Sequence, residues 1–420
     1  MNAREQRGQT IADTLVLSKM GEEWVVPSQT GKGVYIVGKD QFGNARCQCP
    51  DFFDTGMPCK HVYAVQFKVS RAVTVDGTVT ETKTLTVTKK TYPQDWVAYN
   101  KAQTNERRHF HQLLHALCET IPVPSAKPNP KGGRPALPIR DAIFGACLKV
   151  YCLMSARRFN GELEESHTNG FIGCVPHFNY ALHILNKHDV APILKGMIEI
   201  AALPLRAVET KFATDSTGFA TTTYGRWFDH KYGVERTEAK WVKAHFTTGV
   251  LTNVVTTVNI DHQDAADAPQ FAPLTNRTAE LGFTIKEMSA DKAYPSVANF
   301  EAVEAAGGTF FPMFKSNATG AVGGAYEKAF HYFSFKRDEY LEKYHLRSNV
   351  ESTVSMIKRK FGHAVKAKND VAQKNETYCK FVCHNICVLV AEMYAMGIDP
   401  TFKPVTTCTN TEEPARLPSH

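Results

Sequence analysis

The sequence predicts an α/β domain with a mixed sheet, preceded by a helical region and a small β-β-α unit built around a metal ion. Three observations carry that expectation. Between residues 205 and 396, short β-prone runs alternate with helical periods, the pattern of an α/β fold. Between residues 92 and 204 the apolar spacing is helical, interrupted by a Pro- and Gly-rich linker at 121–137. Between residues 20 and 70, two Cys- and His-bearing turns follow a pair of β-prone segments.

Bulk composition narrows the functional classes. The chain has 420 residues, 43% hydrophobic and 22% charged, enough for more than one buried core. Forty-nine Lys and Arg against 42 Asp and Glu give +7 with neutral His, which permits a nucleic-acid partner without demanding one. Eleven cysteines suit reduced thiols and metal ligands better than a disulfide framework. Arg4, Arg7 and Asp13 interrupt the opening residues, so no signal peptide is expected. The longest apolar stretch, 379–396, contains Lys380, His384, Asn385 and Glu392 and therefore predicts a buried helix, not a membrane span. A cytoplasmic chain without a membrane partner is the expectation.

In the first unit, residues 25–28 and 33–37 predict two strands joined by a turn at 29–32. Cys47, Cys49, Cys59 and His61 follow as two close pairs, and residues 62–67 predict a short helix. Three thiolates and an imidazole suit tetrahedral zinc with no open position, which is a structural site. A β-rich unit of this size has a small core, so the metal would supply much of its folding free energy. The stretch CQCPDFFDTGMPCKHVYAV resembles the SWIM zinc-finger family, with its C-x-C…C-x-H pattern and Pro50, Phe52 and Lys60 beside the ligands. That resemblance implies a β-β-α zinc module that contacts DNA or protein. Residues 71–91, rich in Thr, Val and Lys, predict an extended connector.

Helical spacing begins near Trp96 and continues through Leu113, Leu114 and Leu117, then resumes over 139–153 and 179–203. Beyond Thr210 the expected elements are strands at 212–215 and 250–260, a helix at 269–281 and a strand at 284–290. A helix at 296–306, a strand at 309–314 and helices at 341–361 and 377–396 complete the domain, and 397–420 is a loose tail. Cys379, Cys383 and Cys387, at i,i+4 spacing on the last helix, predict a packed core face.

Asp215 and Asp291 each end an expected strand, where α/β folds place their chemistry. Taken singly, each could equally be a turn or cap residue. The stretch LEKYHLRSNVESTVSMIKRKF at 341–361 lacks Pro and Gly. As one helix, it sets Tyr344, Arg347 and Lys358 within about 40° of Glu351. A phenol, two cations and a carboxylate on one stripe are an odd core face and too ordered for a random solvent face.

These residues resemble the DDE transposases of the IS4-like superfamily. Tyr344, Arg347, Glu351 and Lys358 match that family's Y(2)R(3)E(6)K signature, and Asp215 in DSTG and Asp291 in ADKAY match its two aspartate positions. The resemblance covers about residues 205–395, with the Gly133-Arg134-Pro135 segment resembling the pre-catalytic part. It implies an RNase H-like fold, with five mixed strands flanked by helices. It also implies two Mg²⁺ or Mn²⁺ ions on Asp215, Asp291 and Glu351, cleavage of double-stranded DNA at element ends, and strand transfer into target DNA. Two ends must meet, so a homo-dimer or larger synaptic assembly on the nucleoid is expected. Tyr344, Arg347, Lys358, Arg359 and Lys360 are the expected DNA contacts, and Arg226, Trp227 and His245 are further candidates to line the cleft.

Some members of the superfamily carry a β-rich insertion that supplies a tryptophan for hairpin formation. Here 59 residues separate Asp291 from Glu351 and none is Trp, so the hairpin route is not implied. A host-adopted DNA-binding protein and an RNase H-like nuclease without strand transfer are the alternative readings.

Overall fold

A computed structural model of the protein describes residues 3–29, 33–40, 44–75, 95–123, 137–221, 241–315, 317–320 and 322–402. The chain divides into two compact units, Met1–Tyr92 and Pro93–His420.

The first unit contains an antiparallel sheet in sequence order: β1 (Ser18–Met20), β2 (Glu23–Pro27), β3 (Val34–Lys39) and β4 (Ala45–Cys47). The expected hairpin is β2–β3, with Trp24 opposite Val37 and Val26 opposite Tyr35. β1 and β4 extend the expected β-β-α unit to four strands; at three residues each they are too short to show alternation. Helices α1 (Ala3–Thr14), α2 (Pro50–Thr55) and α3 (Lys60–Val75) complete the unit. α1 packs on α3, and the pair approach closely because position 8 is Gly: a Cβ there would stand 2.5 Å from that of Tyr63. The expected extended connector is helical through Val75, and its remainder, 76–91, lies outside the described residues.

In the second unit, α4 (Trp96–Glu119), α5 (Ile139–Cys152), α6 (Asn160–Thr168), α7 (Tyr180–Leu185) and α8 (Val190–Ala202) lead into the sheet. Its strands are β5 (Lys211–Ala220), β6 (Trp241–Gly249), β7 (Val255–His262), β8 (Glu287–Ala290) and β9 (Thr309–Pro312), in the order β7-β6-β5-β8-β9. β5, β6 and β7 pair antiparallel, whereas β8 joins β5 and β9 in parallel. The connecting and following helices are α9 (Ala268–Glu280), α10 (Val297–Ala305), α11 (Gly324–Phe335), α12 (Arg337–Tyr344), α13 (Ser348–Phe361) and α14 (Asp370–Ala395).

Three sequence expectations are corrected. The strand at 212–215 continues to Ala220, because β6 supplies a partner along its whole length. The strand at 250–260 begins only at Val255, since residues 250–254 turn the chain with Asn253 at φ 63°. The single helix at 341–361 is two helices, with a 3-10 turn at His345–Arg347 between them. Most of the expected linker, 124–136, lies outside the described residues, as do Arg226, Trp227 and 403–420.

α14 is the spine of this unit. It packs against α4, α5 and α8 on one side and the sheet on the other, and all share one apolar core. Cys379 and Cys383 are fully buried in that core, in keeping with a packed face. Asn385 fastens the spine: its Oδ1 accepts from Val255 N–H at 2.9 Å, while its Nδ2 donates to Val255 O at 2.7 Å and Ile198 O at 3.0 Å. Asn385→Leu removes three buried hydrogen bonds to the backbone, at about 1 kcal/mol or more each. A shift of the urea midpoint equivalent to at least about 3 kcal/mol is expected; an unchanged midpoint would show that the anchor is dispensable.

Candidate active site and metal centre

The parallel pairing of β5 with β8 ends at Thr214 opposite Ala290. One step further along each strand comes Asp215 and Asp291, so the sheet register itself places the two carboxylates side by side. β5 continues there against β6, whereas β8 stops and Asp291 opens a turn closed by the Tyr294 N–H on its carbonyl at 3.1 Å. Asp215 accepts the Ser216 N–H at 2.8 Å, and Asp291 accepts that of Lys292.

Glu351 arrives from the first turn of α13, and that helix is clamped at several points. Thr353 Oγ1 lies 3.3 Å from Thr248 Oγ1 and 3.1 Å from Asn253 Oδ1. Past the helix, Val365 N–H donates to Ala220 O at 2.9 Å, and Ala220 N–H to His363 O at 3.2 Å. The buried Lys380 ammonium donates to Gly362 O and Ala364 O at 2.8 and 2.7 Å; burial pulls its pKa down to about 8. Upstream, Lys343 pairs with Glu287 at 2.6 Å, and Tyr340 donates to Pro312 O at 2.6 Å, fixing α12 to β8 and β9.

The 3-10 turn delivers Arg347 into the middle of the three acids. Its Nη2 lies 2.9 Å from Asp215 Oδ2 and 3.9 Å from Asp291 Oδ2, and its Nη1 lies 3.3 Å from Glu351 Oε1. Side-chain exposure rises from 19% at Asp215 through 38% at Asp291 to 67% at Glu351, so the site opens toward Glu351. Burial raises the Asp215 pKa, opposed by the Ser216 N–H and Arg347 and assisted by the neighbouring Asp291 charge. Burial works against the Arg347 charge, but Asp215, Asp291 and Glu351 outweigh it and hold the guanidinium protonated.

The other expected contacts are spread more widely. Half-buried Tyr344 ends α12 near Arg347 and Asp291, and burial raises its phenol pKa. Lys358 stands 5.5 Å above the Phe219 ring, which Lys380 approaches at 5.0 Å. Lys360 is turned to the helical layer, where it pairs with Glu106. Arg359 is exposed in a shallow groove of about 540 Å³ that also includes Ser348, Glu351, Ser352, Ser355 and Met356. His245 is fully buried in β6, with its Nδ1 3.3 Å from Asp267 Oδ1, and does not line an open cleft. Sequence reasoning missed Lys380 and Tyr294; the latter is a buried phenol beside Asp215 and Asp291 whose only cue is its place three residues after Asp291.

The first unit gathers Cys47 at the end of β4, Cys49 as the cap of α2, and Cys59 and His61 around the start of α3. All four are buried, and their ligand atoms lie within 4.8 Å of one another. Cys47 Sγ and Cys59 Sγ are each 3.8 Å from His61 Nδ1. Zinc bonds of about 2.0–2.3 Å in a tetrahedron give edges of roughly 3.5–3.8 Å, so the donor set and its spacing fit zinc. Hydrogen bonding from Cys47 lowers the Cys59 pKa, favouring the thiolate that a metal ligand requires.

Central strands bearing acids at their parallel ends, a third acid on a following helix, and this strand order define an RNase H-like domain. Residues 206–386 match the family model described as the transposase DDE domain. No curated protein and no solved structure matches the chain. The zinc unit lies outside the matched residues. No helix among the described residues is long and apolar enough to cross a membrane.

Cys59→Ser removes one of the four donors whose spacing fits zinc. The purified variant is expected to retain less than one equivalent of zinc by elemental analysis and to lose protease resistance in residues 1–75. Full zinc retention would exclude Cys59 as a ligand.

Proposed function

We propose that Asp215, Asp291 and Glu351 form the divalent-metal site of a DNA transposase, which hydrolyses phosphodiesters at element ends and transfers the freed strand to target DNA. The observation that supports this reading is the convergence of all three carboxylates on the Arg347 guanidinium within 3.9 Å. Arg347 is the cation they share here, and their oxygens are hard donors suited to Mg²⁺ or Mn²⁺. A pair of such ions lowers the pKa of the attacking water or 3′-hydroxyl and relieves charge on the reacting phosphate.

The chain's own contribution is placement. The Ser216 N–H orients Asp215, the β5–β8 register sets Asp291 beside it, and the Thr353 contacts keep Glu351 facing both. Arg347 and Tyr344 stand within the site, and Arg359 and the serines of α13 border it, as groups for backbone phosphates. Lys358, at the Phe219 end of the helix, is a further phosphate contact in this reading. Changing the nucleophile from water to a 3′-hydroxyl converts cutting to joining without another site.

The zinc module is assigned to end recognition or protein contact, following its SWIM resemblance, and the working assembly to a dimer or larger on nucleoid DNA. A duplex carrying the DNA that flanks the gene should be nicked in Mg²⁺ and joined to a target plasmid by the wild-type chain. Asp215→Ala, Asp291→Ala and Glu351→Ala should each lower the rate by about a hundredfold or more, near 3 kcal/mol of barrier. Equal nicking by Asp215→Ala would overturn the assignment, and nicking without joining would reduce it to a nuclease.

A further inference from the structure

We infer that Arg347 is an internal counter-ion that closes the carboxylate site until DNA arrives, so that divalent cation and DNA phosphate bind cooperatively. The inference rests on the metal-site reading above and adds an order of events to it.

The guanidinium covers the very oxygens a divalent ion would use: Asp215 Oδ2, Asp291 Oδ2 and Glu351 Oε1. A metal ion bonded to carboxylate oxygen at about 2.1–2.5 Å leaves no room for a guanidinium hydrogen-bonded to that oxygen from the same side. Two cations packed there would also repel at short range with little water between them, since Arg347 is only 21% exposed. Metal entry and the present Arg347 contacts are therefore alternatives.

Arg347 is built to exchange partners. Its Nε is buried without a hydrogen bond, and its terminal nitrogens meet the three carboxylates, with Tyr344 beside them. Arg347 belongs to the 3-10 turn between α12 and α13, directly before Ser348. The groove bordered by Ser348, Glu351, Ser352, Ser355 and Arg359 lies next to it along α13 and suits an anionic strand. A phosphate there offers the guanidinium a bidentate partner as strong as a carboxylate. Drawing Arg347 onto that phosphate bares the acids for metal, and linkage requires bound metal to tighten DNA by the same factor.

The test uses the full zinc-loaded chain. Mn²⁺ binding without DNA is measured calorimetrically for wild type, Arg347→Gln and Arg347→Lys, with circular dichroism as the folding check. Arg347→Gln is expected to bind Mn²⁺ about tenfold or more tightly than wild type, with Arg347→Lys between them, because lysine keeps the charge and loses the fork. In a second arm, a duplex with the flanking DNA should tighten Ca²⁺ binding by wild type and leave that of Arg347→Gln nearly unchanged. Equal or weaker Mn²⁺ binding by both variants, or a DNA effect that survives Arg347→Gln, would overturn the counter-ion role. Asp215→Asn in the Arg347→Gln background separates the two readings: if it leaves Mn²⁺ affinity untouched, the metal-site assignment itself fails.

Discussion

The parallel pairing of β5 with β8 stops after Thr214 and Ala290, and the arrangement of the three carboxylates depends on that stop. Had β8 continued, Asp291 would be held in a strand and its carboxylate would face one side of the sheet by pleat alone. Because it ends, Asp291 enters a turn while Asp215 stays rigid in a strand paired on its other edge with β6. One acid is thus fixed by a ladder and the other by a turn, and they meet at the open end of the parallel pair. Helix α13 then has to meet a prepared position, which the contacts of Thr353, Ala220 and Lys380 define from both ends.

Charge balance explains why such a site survives inside a folded domain. Three carboxylates around one point would repel and resist ionisation if left alone. Arg347 supplies positive charge without adding a rigid crosslink, and Lys343, Lys211 and Glu287 form a separate pair network on β8 that does not draw on it. Of the two lysines above Phe219, the buried Lys380 donates to backbone carbonyls.

Much of the site was legible because it is written in spacing. Cys47, Cys49, Cys59 and His61 are close in sequence, so their gathering does not depend on where the strands around them begin or end. Glu351 was legible through Tyr344, Arg347 and Lys358, although the helix assumed for that register is broken at His345–Arg347. The break was invisible because nothing in that segment is a helix breaker, and tertiary ion pairs accompany the tightened turn. β6 escaped notice for a different reason: His245, Thr247 and Thr248 are buried, and polar residues inside a sheet erase the alternation by which strands are found. Lys380 and Asn385 likewise look like breaks in an apolar run until the carbonyls they serve come into view.

The position of α14 has a consequence for how the protein is made. Its Tyr394 hydroxyl meets the His109 ring across 285 residues of chain, and Cys379 Sγ lies 3.8 Å from Cys147 Sγ. Helices α4 and α5 leave the ribosome early but have no complete surface to bury against until α14 follows. The zinc unit draws its core from its own neighbouring residues and can close during synthesis. A nascent chain therefore carries a finished Cys/His unit well before it has an assembled carboxylate site.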